Sequence, residues 1–169
     1  MNSGLAQKKN TMDLQELQAR VCAQEDREAI RETIARMNWL SDAGDAVGHA
    51  ALYTEDVAYD VGAFGVFRGR EELRKFFEQV YASFRLREHR TSNLVIELRG
   101  DKASVRCYWQ AHLIFQSRAL ISSGKYEDEW VNLNGRWLCA ARKAPIAYLS
   151  PLEEGWARTP FLDLSKEMG

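Results

Sequence analysis

Cysteine, proline and an excess of charge of either sign are all scarce in this sequence. Its 169 residues include three cysteines, three prolines, and 23 Lys and Arg against 24 Asp and Glu, which leaves a formal net charge of -1. Cys22, Cys107 and Cys139 lie far apart without a CxxC pair, which argues against a disulfide framework and a zinc knuckle. A nearly neutral chain creates no field that attracts phosphate backbones or anionic lipid. We therefore expect no nucleic-acid or membrane partner, and a reducing, cytoplasmic location.

Long apolar runs and grouped histidines are also missing. No run reaches the roughly 18 apolar residues of a membrane-spanning helix, and the opening MNSGLAQKKNT has no apolar core of a signal peptide. Three histidines, at 49, 89 and 112, form neither an HxH nor an HExxH motif, so we predict no metal site. The remaining composition, 46% hydrophobic and 28% charged residues, is typical of one globular domain.

Helical spacing of apolar residues marks the first half of the chain. Asp13, with Glu16 three residues later, is typical of a helix N-terminus, and a second helix is predicted from Asp26 to a glycine cap at 44. Asp42 therefore lies at a helix end. Three further elements are predicted: a short helix at 46–53, a strand at 56–61 and a helix at about 70–85. The last helix has an apolar stripe that must cover an apolar surface, formed by Leu73, Phe76, Phe77, Val80 and Phe84.

The second half of the chain has the alternation typical of strands. Four strands are predicted, at about 88–98, 103–116, 119–131 and 136–148, and they form an antiparallel meander. In the second of them apolar side chains alternate with mostly polar ones, so one sheet face is apolar and receives the helices. The other face carries Tyr108, His112 and Ile114, a mixture suited to a subunit interface. We expect a homo-oligomer, either a dimer or a trimer.

Several short stretches resemble a known family. They are DAGD at 42–45, LYTEDVAY at 52–59, FRGREE at 67–72, GKYEDEW at 124–130 and NGRW at 134–137. With the order of elements, they resemble the SnoaL-like branch of the nuclear transport factor 2-like superfamily over residues 25–148. The resemblance implies an α+β fold, a cone-shaped barrel whose helices pack over a curved, mainly antiparallel sheet around a small-molecule pocket. We expect a flexible tail at 1–11, the SnoaL-like domain at 12–150 and a C-terminal extension at 151–169.

Two residues carry the functional part of this resemblance. Scytalone dehydratase, bile acid 7α-dehydratase and hexachlorocyclohexane dehydrochlorinase have an Asp at the end of the long helix and a His at the start of the strand after the covering helix. Asp42 and His89 occupy those places. Histidine suits proton abstraction because its ordinary pKa of about 6.5 lies near neutral pH, and a carboxylate fixes its tautomer. The pair would need no metal or cofactor. The alternative is structural: Asp42 ends a helix, and His89 is a hydrogen-bonded histidine at a strand edge.

Aromatic residues are candidates for the wall of the pocket. Tyr59 lies in the predicted strand that follows Asp42 along the chain. It is predicted to present its hydroxyl to a developing oxyanion. Four further residues are predicted to contact a flat or polycyclic apolar substrate: Trp39, Tyr53, Phe64 and Trp109. The alternative for all of them is plain core packing.

The other polar residues are assigned to the surface. His49, in the short helix, and His112, on the more polar strand face, are expected at the surface or at an interface. Glu127, Asp128 and Glu129 alternate across a strand, and we expect them on a charged solvent face rather than around a metal.

Together these features predict a cofactor-independent lyase or isomerase, of the dehydratase, cyclase or double-bond-isomerase type, in polyketide, steroid or terpenoid metabolism. Its partner would be a small-molecule substrate. The meander leaves an alternative open, since GKYEDEW at 124–130 and RWLCAARK at 136–143 are also similar to the non-catalytic small subunit of aromatic-ring dioxygenases. A ligand-binding module without catalysis belongs to the same alternative.

Overall fold

We describe residues 13–154 of the chain from a computed structural model. The predicted flexible tail at 1–11, and the part of the predicted C-terminal extension beyond Glu154, lie outside the described residues. The elements, in chain order, are α1 (Leu14–Ala43), α2 (Ala46–Ala50), β1 (Tyr53–Asp60), a 3-10 helix (Gly62–Phe64), β2 (Val66–Arg68), α3 (Arg70–Ser83), β3 (Phe84–Arg99), β4 (Lys102–Phe115), β5 (Arg118–Leu133), β6 (Arg136–Lys143) and β7 (Ile146–Pro151).

One sheet of seven strands forms the base of the fold. Its strands follow the order β2-β1-β6-β5-β4-β3, and β7 pairs with β5 beside this path. All neighbours are antiparallel except β1 and β6, which are parallel. The helices α1 to α3 pack over this curved, unclosed sheet. The predicted α+β architecture, with helices over a mainly antiparallel sheet, is confirmed.

The predicted strand at 136–148 is two strands in the structure. β6 ends at Lys143 and β7 begins at Ile146, because Pro145 between them has no backbone N–H to donate to a ladder. β6 pairs with the second half of β5, whereas β7 pairs with its first half. Gly124 of β5 permits the close packing at this change of partner. A Cβ there would clash with the Pro145 carbonyl oxygen and lie 2.7 Å from Trp109 Nε1.

Helix α1 is one helix of 30 residues where the sequence predicted two. Asp13 caps its first turn by accepting the Glu16 N–H at 2.7 Å, and Gly44 ends it with a φ of 77°. Residues 23–25, between the two predicted helices, include neither Gly nor Pro, so nothing interrupts the hydrogen-bond ladder. Only the second half is buried, through Ile30, Ile34, Met37 and Ser41. No helix within residues 13–154 is both long enough and apolar enough to cross a membrane.

The hydrophobic core lies between the helices and the sheet. Leu73 and Phe77 of α3 are buried in the same cluster as Trp109 of β4, as the apolar stripe predicted. The later stripe residues, Val80 and Phe84, border a cavity that also reaches Trp109. One end of the stripe therefore stabilises the core, and the other end forms the wall of a potential ligand site.

Candidate active site

A cavity of about 470 Å³ lies between α3, the second half of α1 and the sheet. This volume is within the usual range for small-molecule sites. Its wall is mostly apolar, with contributions from Met37, Phe76, Trp109 and Leu113 among others. Polar side chains that border it include Ser41, His49, Tyr59, Tyr81, His89 and Arg142. The cavity thus suits an apolar molecule that carries a few polar groups.

Asp42 and His89 are in direct contact. His89 Nδ1 lies 2.6 Å from Asp42 Oδ1, and the His89 backbone N–H donates to both carboxylate oxygens at 3.1 Å. Because an ionised carboxylate only accepts hydrogen bonds, Nδ1 carries the proton. The neutral ring then has its lone pair on Nε2, which is the form that can take a proton from a substrate. The two side chains are 18% and 21% exposed for His89 and Asp42, so the contact is largely screened from water.

The fold explains why these two residues meet. β3 is an edge strand of the sheet, and α1 lies along it. The backbone N–H of His89 donates to a side chain of this helix, and in this way the helix satisfies part of the exposed edge. Gly44 ends α1 in a left-handed conformation, so Asp42 stands in the last turn, beside the strand. Further along the two elements, Asn38 donates to Thr91 Oγ1 at 3.3 Å.

The imidazole and the carboxylate face different spaces. His89 borders the cavity and also an outer groove between α1 and β3, whereas Asp42 borders the groove and not the cavity. His89 is therefore the member of the pair that a molecule in the cavity would meet. Asp42 stands behind it and can orient the ring without competing for the same ligand.

Arg87 makes hydrogen bonds to three chain segments around Asp42 and His89. Its guanidinium donates to the carbonyl oxygens of Ser41 at 3.0 Å, Tyr81 at 2.8 Å and Phe84 at 2.6 Å, and more weakly to that of Asp42 at 3.4 Å. It also lies 4.8 Å from the centre of the Tyr81 ring. The end of α1, the end of α3 and the start of β3 are thereby held together. Sequence analysis did not single out this arginine.

Arg142, which borders the cavity, belongs to a buried ion pair. The Arg142 guanidinium donates to Asp128 Oδ1 at 2.8 Å, to Asp128 Oδ2 at 2.6 Å and to the Tyr53 hydroxyl at 3.1 Å. Asp128 is 2% exposed, so the prediction that it lies on a solvent face is wrong. Its neighbours Glu127 and Glu129 are exposed as predicted. Successive side chains of a strand point to opposite faces, so Asp128 faces the protein interior while Glu127 and Glu129 face solvent.

Tyr59 borders the cavity, where the sequence predicted it. It is 8% exposed. Burial raises the pKa of its hydroxyl to about 12, against the opposing influence of Arg142. At neutral pH the hydroxyl therefore keeps its proton and can donate a hydrogen bond.

His49 also borders the cavity, which corrects its prediction as a surface or interface residue. Its ring stacks on Phe77, with centroids 4.2 Å apart, and its Nδ1 lies 2.5 Å from the Tyr81 hydroxyl oxygen. Burial first, and then the charges of Arg142 and His89, hold the pKa of His49 well below its usual value. The signal for burial was present in the sequence. Ala46, His49 and Ala50 share one helix face, and the structure buries all three.

The four predicted aromatic contacts have different fates. Phe64 and Trp109 border the cavity. Trp39 is 76% exposed and lies in the outer groove, so its placement in the pocket is corrected. Tyr53 is fully buried without bordering the cavity, and its hydroxyl serves Arg142 instead.

The remaining histidine is on the outer face of the sheet. His112 Nδ1 lies 3.0 Å from an Arg90 nitrogen and 3.7 Å from Glu88, and His112 does not border the cavity. Among residues 13–154, no group of three His, Cys, Asp or Glu side chains is arranged to hold a metal ion.

The family model described as SnoaL-like domain matches residues 23–143. The chain belongs to the SnoaL-like family. This confirms the resemblance drawn from the sequence, within the nuclear transport factor 2-like superfamily. No match to a curated protein sequence was found.

Solved structures show the same fold for this SnoaL-like protein. An NTF2-like protein with a cystatin-like fold from Novosphingobium aromaticivorans is 26% identical, with a TM-score of 0.67 over 87% of this chain and 94% of the other. A candidate scytalone dehydratase from the same species is 23% identical, with a TM-score of 0.68 over 76% and 86% of the two chains. A hexachlorocyclohexane dehydrochlorinase, LinA type 2, is 18% identical, with a TM-score of 0.71 over 79% and 93%. Dehydratase-type and dehydrochlorinase-type proteins are thus among its structural neighbours.

Proposed function

We propose that this protein is a cofactor-independent lyase or isomerase, of the dehydratase, cyclase or double-bond-isomerase type, with a small apolar or polycyclic substrate. One observation carries the proposal. The Asp42 carboxylate lies 2.6 Å from His89 Nδ1, while His89 borders a mostly apolar cavity. A histidine oriented in this way, next to a space that admits a small molecule, is equipped to remove a proton from carbon. Dehydratase-type and dehydrochlorinase-type neighbours of the same fold support this class of reaction.

The proposed reaction begins with His89. Its Nε2 accepts a proton from a substrate carbon, and the electron pair of the broken C–H bond forms a new double bond as a leaving group departs or as an existing double bond shifts. The resulting imidazolium is stabilised by Asp42 across the contact with Nδ1. In a dehydration the imidazolium then returns the proton to the departing hydroxide, which leaves as water. The apolar wall limits competing water and strengthens these charge interactions.

Tyr59 is proposed to stabilise negative charge on the substrate. Its neutral hydroxyl borders the same cavity and can donate to an oxygen that gains charge as the carbon loses its proton. Phe64 and Trp109 would contact the apolar body of the substrate.

The test is a panel of small ring compounds with an acidic C–H group. Cyclic β-hydroxy ketones report elimination by the ultraviolet absorbance of the enone product, and β,γ-unsaturated ketones report isomerisation in the same way. Halogenated cyclohexanes report loss of halide. For any compound that is converted, His89→Ala should lower turnover by about 10²–10⁴-fold. His112→Ala is the matched control, because His112 lies on the outer face of the sheet and should leave turnover unchanged.

The stretches at 124–130 and 136–143 favour a second candidate, a non-catalytic ligand-binding module or small subunit of an aromatic-ring dioxygenase. The two candidates differ in what His89→Ala does. Tight binding of panel compounds without conversion, with the same affinity in His89→Ala, would support the non-catalytic candidate and contradict the enzyme.

A further inference from the structure

Besides His89, a second group of polar side chains borders the cavity: Ser41, His49 and Tyr81. The Tyr81 hydroxyl oxygen lies 2.5 Å from His49 Nδ1, and Ser41 is close enough to influence the pKa of this hydroxyl. Arg87 donates hydrogen bonds to the carbonyl oxygens of both Tyr81 and Asp42, so one arginine connects this group with the Asp42–His89 pair.

Neither His49 nor Tyr81 is charged at neutral pH. Burial, followed by the charges of Arg142 and His89, lowers the pKa of His49, so its ring carries a single proton at neutral pH. Burial also raises the pKa of Tyr81, against the opposing influence of Ser41, so the phenol keeps its proton. Only one of the two groups can place a hydrogen between Tyr81 Oη and His49 Nδ1.

The other ring nitrogen decides which group donates. His49 Nε2 is buried and has no hydrogen-bond partner among the described residues. If Nε2 carried the ring proton, it would be a buried N–H without an acceptor, which proteins avoid more strictly than an unused acceptor. The proton therefore belongs on Nδ1, and His49 donates to the Tyr81 oxygen.

The Tyr81 hydrogen is consequently free. Its oxygen accepts from His49, and within residues 13–154 the structure shows no acceptor for its hydrogen. A donor to a phenol oxygen also polarises its O–H bond and makes it a stronger donor. A strong donor without a protein acceptor, on the wall of a mostly apolar cavity, requires an acceptor from the ligand.

We propose that Tyr81 donates a hydrogen bond to a carbonyl or hydroxyl oxygen of the substrate, with His49 as a positioning residue that aims the phenol. The substrate is then an oxygenated apolar ring compound rather than a hydrocarbon or a purely halogenated one. The inference rests on the proposed function in taking the cavity as the substrate site. During proton transfer to His89 the donor would stabilise charge on this oxygen, in addition to or instead of Tyr59.

Binding of two matched probes tests the donor. 1-Tetralone is a bicyclic ketone, and tetralin has the same carbon skeleton without the oxygen. By calorimetry the wild-type protein should bind tetralone about 2- to 10-fold more tightly, the effect of one neutral hydrogen bond. Tyr81→Phe should abolish most of this preference and leave the affinity for tetralin unchanged. Tyr59→Phe tests a second cavity phenol, and Tyr108→Phe, at an exposed tyrosine of the sheet, is the matched control.

The tautomer of His49 tests the positioning role without any ligand. Nitrogen-15 NMR of the wild-type protein at neutral pH should show His49 with its proton on Nδ1, which is the form that leaves the Tyr81 hydrogen for a ligand. A proton on Nε2 would overturn the proposal. So would equal affinity of the wild type for the two probes, including no binding of either, or a preference that survives in Tyr81→Phe and disappears in Tyr59→Phe.

These results are separable from a failure of the proposed function. His89→Ala should retain the preference for tetralone, because the preference depends on Tyr81 and not on the base. A protein that prefers tetralone through Tyr81, yet converts no panel compound, would contradict the enzyme and support the donor. A protein that turns over its substrates with full rate in Tyr81→Phe and equal probe affinities would do the reverse.

Discussion

Asp42→Asn changes the tautomer of His89 while it preserves the size of the side chain. In the wild type the carboxylate accepts three interactions, two from the His89 backbone N–H at 3.1 Å and one from Nδ1 at 2.6 Å. An Asn side chain has one acceptor oxygen and one NH₂ donor. If the oxygen keeps the backbone N–H, the NH₂ group faces Nδ1, and the ring proton must move to Nε2. Nε2, the nitrogen proposed as the base, then has no lone pair for the substrate.

The expected size of the effect follows from this geometry. In hydrolytic triads the same substitution lowers kcat about 10⁴-fold through the wrong tautomer. We expect a loss of about 10³–10⁴-fold here, with a decrease of only about 1–2 kcal/mol in the free energy of unfolding, because Asn can keep one of the hydrogen bonds. In combination with His89→Ala the substitution should cost little more, since the two residues act as one unit.

The assay combines nitrogen-15 NMR of His89 with turnover of the best panel compound. Asp45→Asn is the matched control: Asp45 is exposed, caps α2 by accepting the Gly48 N–H at 2.8 Å, and Asn caps helices equally well. Turnover at the wild-type rate in Asp42→Asn, with the His89 proton moved to Nε2, would refute the role of His89 as a base. An unmoved proton would refute the argument about the tautomer.

Three further predictions concern stability and assembly. Phe77→Ala should lower the free energy of unfolding by about 3–5 kcal/mol, because Phe77 is 4% exposed in the core; wild-type thermal unfolding would contradict this. Asp128→Asn should cost a similar 3–5 kcal/mol in urea unfolding by leaving the Arg142 guanidinium buried without its counter-charge, whereas Glu129→Gln, exposed on the same strand, should cost little. Sedimentation at micromolar concentration should show a dimer or trimer, and a clean monomer of 19.4 kDa would rule out an interface on the polar sheet face.

Sequence patterns predicted the elements that expose one face to solvent and bury the other. The helix predicted at 70–85 is α3 at Arg70–Ser83, and three of the four predicted strands of the meander match β3, β4 and β5. In such elements the side-chain period alone distinguishes helix from strand. The fourth predicted strand is divided because Pro145 breaks the ladder, and periodicity is insensitive to a missing N–H. The prediction divided α1 in two because an aspartate such as Asp26 often begins a helix. In the structure Asp26 lies inside the continuous helix α1.

Buried polar residues were harder to predict than the fold. Asp128 and His49 are both buried, and each is accommodated by a partner that is distant in sequence, Arg142 and Tyr81 respectively. Residue type alone places an acid or a histidine at the surface, since burial costs free energy unless a partner is present. The partner becomes visible only when strands and helices are assembled, so local sequence could not supply it.

Trp39 was misplaced for a different reason, because helix geometry was sufficient to place it. Successive residues of a helix are about 100° apart, so Trp39 lies roughly 200° from Met37, which is buried. A tryptophan opposite the core-facing stripe belongs on the outside, where the structure has it at 76% exposure. The same geometry places Asp42 about 100° from buried Ser41, beside the helix stripe rather than within it. That flank faces the edge strand β3, which is why a carboxylate there can reach His89 from outside the cavity.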